Sequence, residues 1–123
     1  MSHVVEIQTE IKDIAGVRAA CHRLHLKQPE KGTFKLFSNK AKGWAVQLQD
    51  WTYPVICDTS TGDIKFDNFD GRWGDQKELD RFLQAYAVEK SRIECRRKGH
   101  TVTETKLTDG SIKLTIQVNG GAA

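Results

Sequence analysis

Cys21-His22-Arg23-Leu24-His25 places a thiol and an imidazole at i and i+4, a spacing by which one helical face can offer two metal ligands. Two ligands do not make a site, and Cys57 and Cys95 have no neighbouring Cys or His. Cys21 also shares an apolar stripe with Ile14, Val17 and Leu24, where cysteine behaves as a small hydrophobe. The sequence therefore predicts core packing for Cys21, with no metal site and no cofactor. Cys95 lies roughly opposite the buried stripe of its own helix, together with Val88, and is expected at the surface.

Lys90 falls among Leu79, Leu83, Tyr86 and Ile93 on a helical wheel, inside the stripe that should be apolar. A buried ammonium needs a partner or a depressed pKa, which is how lysines acquire chemistry. The plainer expectation is a side chain that snorkels to the surface or pairs with Glu94 at i+4. Lys90, Arg92, Arg96, Arg97 and Lys98 stand against only Glu89 and Glu94 between residues 89 and 100, a local charge of +3. The other residues balance at 14 basic against 14 acidic, so the count places the net charge of +3 at this one helix end. Such a cluster can hold phosphates, with Tyr53, Trp51 or Trp73 as stacking surfaces. Cations in a last helical turn also complement the helix dipole, and the overall balance is not that of a strongly basic nucleic-acid binder.

The segment Asn68-Phe69-Asp70-Gly71-Arg72-Trp73-Gly74 combines glycines that permit unusual backbone with an arginine and two aromatics of the kind that anchor interfaces. Asn68, Phe69, Asp70, Arg72 and Trp73 are the expected partner-binding residues. The competing expectation is a loop whose aromatics merely close the core. The glycine spacing is not that of a dinucleotide or P-loop site, and the acids Asp67, Asp70 and Asp75 lack the offsets of a calcium loop.

The elements that must position these groups follow from periodicity. Val5, Ile7, Thr9 and Ile11 alternate as a half-buried strand. Asp13 can cap a helix that ends before Gln28-Pro29. Short strands are expected around Thr33–Phe37 and Trp44–Gln49, separated by a turn over 38–43. Tyr53–Asp58 and Asp63–Asp67 flank a hairpin turn. Asp75, with Glu78 three residues on, opens a long helix of roughly 24 residues and about 36 Å, closed by Gly99. Val102–Lys106 and Ile112–Val118 surround Asp109-Gly110, the strongest hairpin signal in the chain. The expected fold is α+β in the order β-α-β-β-β-β-α-β-β: a mainly antiparallel sheet with two helices packed on one face. It spans one domain over residues 1–118, with 119–123 as a flexible tail.

With 123 residues and 38% hydrophobic content the chain can bury a single core. No apolar run approaches the roughly 18 residues of a membrane span, and no secretory leader is read at the N-terminus. Three unpaired cysteines argue for a reducing compartment, so a cytoplasmic location is expected.

Met1-Ser2-His3, Ile7, Ile11-Lys12-Asp13, the run Trp73 to Gly99, and Asp109-Gly110-Ser111-Ile112-Lys113-Leu114 carry a resemblance over nearly the whole chain. The chain resembles the domain-of-unknown-function twelve-fifty-seven family, which includes the plastid and cyanobacterial Ycf thirty-five proteins. It looks closest to a bacterial branch with Gly74-Asp75-Gln76-Lys77. That family brings no established activity. Its genes' neighbourhood implies an adaptor-like role beside an AAA+ ATPase or another small protein. The sequence reading is thus a non-enzymatic interaction module or small adaptor subunit that docks a protein partner. The alternative is a phosphate-ligand binder for RNA or a nucleotide, using the basic helix end. An enzyme built on Lys90 or Cys95 lacks an identifiable base or oxyanion donor.

Overall fold

The structure, a computed structural model, describes residues 5–8, 10–37 and 39–118. Met1–Val4, Thr9, Ser38 and the expected tail 119–123 lie outside them. In chain order the elements are β1 (Val5–Gln8), α1 (Ile14–Arg23), β2 (Glu30–Lys35), β3 (Lys40–Val46), β4 (Val55–Asp58), β5 (Asp63–Phe66), α2 (Gln76–Arg97), β6 (Thr101–Lys106) and β7 (Ile112–Gln117). The α+β order expected from periodicity is the one observed.

The strands divide into two sheets. A five-stranded antiparallel sheet runs β1-β5-β4-β3-β2, and β6-β7 form a separate ribbon. Both helices cover one face of the larger sheet. Val17, Ala20 and Cys21 of α1 and Leu79, Phe82, Ala85 and Tyr86 of α2 share a core with Val46, Val55, Cys57, Ile64 and Phe66. The helices cross closely at Gly16, where a Cβ would lie 2.9 Å from the Tyr86 ring. The opposite sheet face carries a smaller layer of Leu36, Ala41 and Ile56, flanked by Phe34, Ala45 and Tyr53.

Local signals explain both helix starts. Asp13 accepts a hydrogen bond from the Ala15 amide at 2.9 Å, and Asp75 accepts one from the Lys77 amide at 2.9 Å. Glu78 turns instead to Arg81, 3.3 Å away, so the capping box is only half made. The first helix stops at Arg23, earlier than the proline alone requires, because His25 takes a left-handed conformation with φ 58°. The strand expected from Trp44 begins at Lys40. Leu36 donates to the Asn39 carbonyl at 2.7 Å, closing the turn tightly and returning Lys40–Gly43 to the sheet. Gly43 sits inside the strand because a Cβ there would come 2.5 Å from the Cys57 carbonyl oxygen.

The β6–β7 ribbon packs on a second face of α2. Gln84 Nε2 donates to the Gly110 carbonyl at 3.5 Å, and Arg92 donates to Glu104 at 2.8 Å. This packing corrects the expectation for Cys95. With Val88 it is buried, at 8% exposure, because the helix has two covered faces rather than one.

Candidate functional site

Phe66 ends β5 on the helix side, and the chain then turns through a strained loop. Phe69, Asp70 and Gly71 have φ values of 46°, 54° and 92°, three consecutive left-handed residues of which only the last is glycine. A side chain in that region costs about 1–2 kcal/mol per residue. Hydrogen bonds hold the loop against this strain. The Asn68 carbonyl accepts from Gly71 at 3.0 Å and from Trp73 at 2.9 Å, and Thr52 donates to the Trp73 carbonyl at 2.7 Å. Asp67 is fully buried. Its Oδ1 accepts from the Phe69 amide at 3.2 Å, while its Oδ2 finds no hydrogen-bond partner among the described residues.

The loop's outward side is an aromatic cluster centred on Trp73. Phe69, Phe37 and Tyr53 place their rings 4.8, 5.1 and 5.6 Å from it. The Arg72 guanidinium lies 4.9 Å over the Phe69 ring. Phe37 is 53% exposed, Arg72 and Asp70 are exposed, and Trp73, Tyr53 and Phe69 are half-buried. The structure therefore brings Phe69, Asp70, Arg72 and Trp73 together. It removes Asn68 from the surface: at 7% exposure, Asn68 donates from Nδ2 to the Gly74 carbonyl at 3.3 Å and serves the loop's interior. Trp51 is also corrected as a stacking surface, since it is buried against Phe66 and Gly74 with Nε1 donating to the Asp75 carbonyl at 3.1 Å. Sequence reasoning missed Phe37. The signal was an aromatic residue beside the turn that joins two short strands.

The basic end of α2 does not act as one cluster. Arg92 and Arg23 both bind Glu104, at 2.8 and 2.6 Å, and Arg23 also reaches Glu89 at 3.2 Å. The hydrogen bond from Arg23 is the main reason the Glu104 carboxyl sits below its usual range, with Arg92 adding to it. This network ties α1, α2 and β6 together. Lys90 lies at the rim of a shallow depression with Ile11, Tyr86 and Glu94, 4.0 Å from Glu94 Oε1, as the snorkelling expectation describes. Arg96, Arg97 and Lys98 are exposed. A larger open cleft of about 930 Å³ separates α2 from the ribbon tip. Its charged lining is mixed in sign, with Arg23, Lys77, Arg81 and Lys106 alongside Asp80, Glu104 and Asp109.

Burial pushes the Cys21 thiol up to about 11 and the Cys57 thiol up to about 12, so neither supplies a thiolate near neutrality. Among the described residues no group of three or more His, Cys, Asp or Glu side chains could hold a metal. No helix of the described residues is long and apolar enough to cross a membrane.

These features define an α+β domain with an aromatic surface cluster on a strained loop. Comparison with family models, with curated proteins and with solved structures finds no match to the chain.

Proposed function

We propose that the protein is a non-enzymatic interaction module that docks a protein partner on the surface formed by Phe37, Tyr53, Phe69, Arg72 and Trp73. One observation carries this reading. A loop held in a costly backbone conformation presents three rings packed on Trp73 with an exposed arginine stacked on one of them, at a place where a core-closing loop would bury them. Aromatic and arginine anchors at the centre of a contact, with a polar rim, are the usual composition of an interface hot spot. Arg96, Arg97 and Lys98, exposed at the end of α2, would steer an acidic partner during encounter.

The resemblance to the domain-of-unknown-function twelve-fifty-seven family, resting on the residues quoted for it, supports an adaptor role beside an AAA+ ATPase or a small companion protein. The phosphate-binding alternative at the end of α2 keeps only Arg96, Arg97 and Lys98, since Arg92 and Lys90 have carboxylate neighbours.

The test is capture of partners from the host extract, with nuclease present, read by mass spectrometry. Phe37→Ser and Arg72→Ala change exposed groups, so their folding is checked by circular dichroism before binding is compared. Loss of the stoichiometric partner by about tenfold or more in either is expected, with Trp73→Ala abolishing capture. Arg96→Ala should alter mainly the salt dependence. Full retention of the partner by folded Phe37→Ser and Arg72→Ala proteins would refute the reading.

A further inference from the structure

The even balance of charge outside the α2 end conceals a second asymmetry. Residues 14–49 contain seven cations, namely Arg18, Arg23, Lys27, Lys31, Lys35, Lys40 and Lys42, against the single carboxylate Glu30, a net +6. The fold gathers most of them on one surface. In the β2–β3 register Lys31 lies opposite Trp44, Thr33 opposite Lys42 and Lys35 opposite Lys40. Residues directly opposite in an antiparallel pair share a face. Val46, two residues beyond Trp44, fixes that face as the one toward the helices. The four lysines are exposed, and α1 adds exposed Arg18 with its guanidinium 5.3 Å from the half-buried Trp44 ring. Lys31 Nζ lies 5.9 Å from the same ring.

Among the described residues no carboxylate pairs with this surface. Among the described residues none of Arg18, Lys31, Lys35, Lys40 and Lys42 is ion-paired, whereas Lys27 pairs with Glu30 at 3.2 Å. The helix lying above it, Ile14–Arg23, contains no acid. Like charges directly opposite across strands are destabilising. The placement of Lys35 against Lys40 therefore weakens the ribbon.

We propose that the β2–β3 ribbon, with Arg18 and Trp44, is a binding track for single-stranded nucleic acid. Side chains on one strand face recur every second residue, about 6.6–6.8 Å apart, close to the phosphate repeat of an extended polynucleotide. Cations along such a line take the backbone, and the Arg18 guanidinium over the Trp44 ring can extend that stack to an unpaired base. The linear ladder suits a strand of phosphates. On this face the ribbon beyond Trp44 carries no apolar side chain to enter a bilayer, which disfavours a lipid surface. The track ends at the β2–β3 turn that carries Phe37 of the aromatic cluster, and it lies on elements other than the end of α2.

The experiment is fluorescence anisotropy of a fluorescein-labelled oligouridylate of about 12 nucleotides, a length within single-strand site sizes, titrated with the full chain between 50 and 300 mM salt. Four to five phosphate contacts predict that log affinity falls with log salt at a slope of about −3. The variant Lys35→Gln/Lys40→Gln/Lys42→Gln should bind about 100-fold more weakly at 0.1 M salt, with the slope reduced by about 2. It should melt no lower than the parent, because it relieves repulsion. Lys12→Gln, which removes an exposed lysine paired with Glu10 outside the track, should bind as the parent does. The proposal is overturned by a parent that does not bind, by a flat salt response, or by a triple variant that binds like the parent. Preference for a duplex of equal length, or for phosphatidylserine vesicles with no oligonucleotide binding, overturns it equally.

Discussion

Gly74→Ala tests the packing that anchors the aromatic loop. A Cβ at Gly74 would lie 2.6 Å from Trp51 Cγ and 2.5 Å from Cε2, with Cδ2 nearer still. Ordinary contact between such atoms is about 3.5–4.0 Å, so ring or backbone must move by roughly an ångström. Trp51 cannot swing away freely. It is buried, stacked edge-on against Phe66 at 5.7 Å, and its Nε1 donates to the Asp75 carbonyl at the start of α2. Overpacking of this kind costs about 1–3 kcal/mol, which for a chain of this size lowers Tm by roughly 5–15 °C. Gly71→Ala is the matched control. Nothing lies within 4 Å of its Cβ position, yet its φ of +92° strains any side chain, so it should cost about 1 kcal/mol through the backbone alone. The assay is thermal and urea denaturation of both variants, with near-ultraviolet circular dichroism reporting the indole environment. A Gly74→Ala protein that melts at or above Gly71→Ala, with an unchanged indole signal, would refute the steric argument.

Two further outcomes follow from ionisable groups. Glu104 has its pKa lowered by Arg23 and then Arg92, so its stabilisation is complete above the unfolded value near 4.5 and is lost as pH falls through the lower folded value. Glu104→Gln should therefore lower the urea midpoint at pH 7, with the gap to the parent shrinking on acidification below about pH 4. A gap of equal size at pH 7 and pH 3 would contradict the ion-pair account. Cys21 and Cys57, pushed up to about 11 and about 12 by burial, should resist iodoacetamide in the native protein at pH 8.5 and react once it is unfolded. Alkylation of either in folded protein, located by peptide mass spectrometry, would show that the core admits solvent.

Features legible in the sequence are those encoded within a few residues. Asp13 and Asp75 announce their helices through side-chain caps. The β4–β5 hairpin is set by its own turn, and Lys90 reaches Glu94 one helical turn away. What periodicity does not encode is which surfaces meet. The stripe of α2 marks only the face toward the sheet, so the ribbon that buries Val88 and Cys95 is invisible until β6 and β7 fold back on it. Arg92 reads as a free cation because Glu104 lies in a strand beyond the helix. The lysine ladder escapes a linear charge count because cross-strand pairing, not proximity in the chain, sets Lys31, Lys35, Lys40 and Lys42 on one face. Of the aromatic site, composition gives Phe69, Arg72 and Trp73, while Phe37 and Tyr53 arrive from other turns.

The strand order β1-β5-β4-β3-β2 sends the chain from one sheet edge, over α1, to the other edge, and then back strand by strand until β5 meets β1. The meander from β2 to β5 is made of neighbours and needs only short loops. Joining β1 to β5 instead brings together residues about 60 positions apart, a ring closure whose length-dependent entropy is about 3.6 kcal/mol. Four backbone pairs must meet that cost together with the α1–α2 crossing. Of the pairings in this sheet, β1 with β5 therefore carries the longest loop closure.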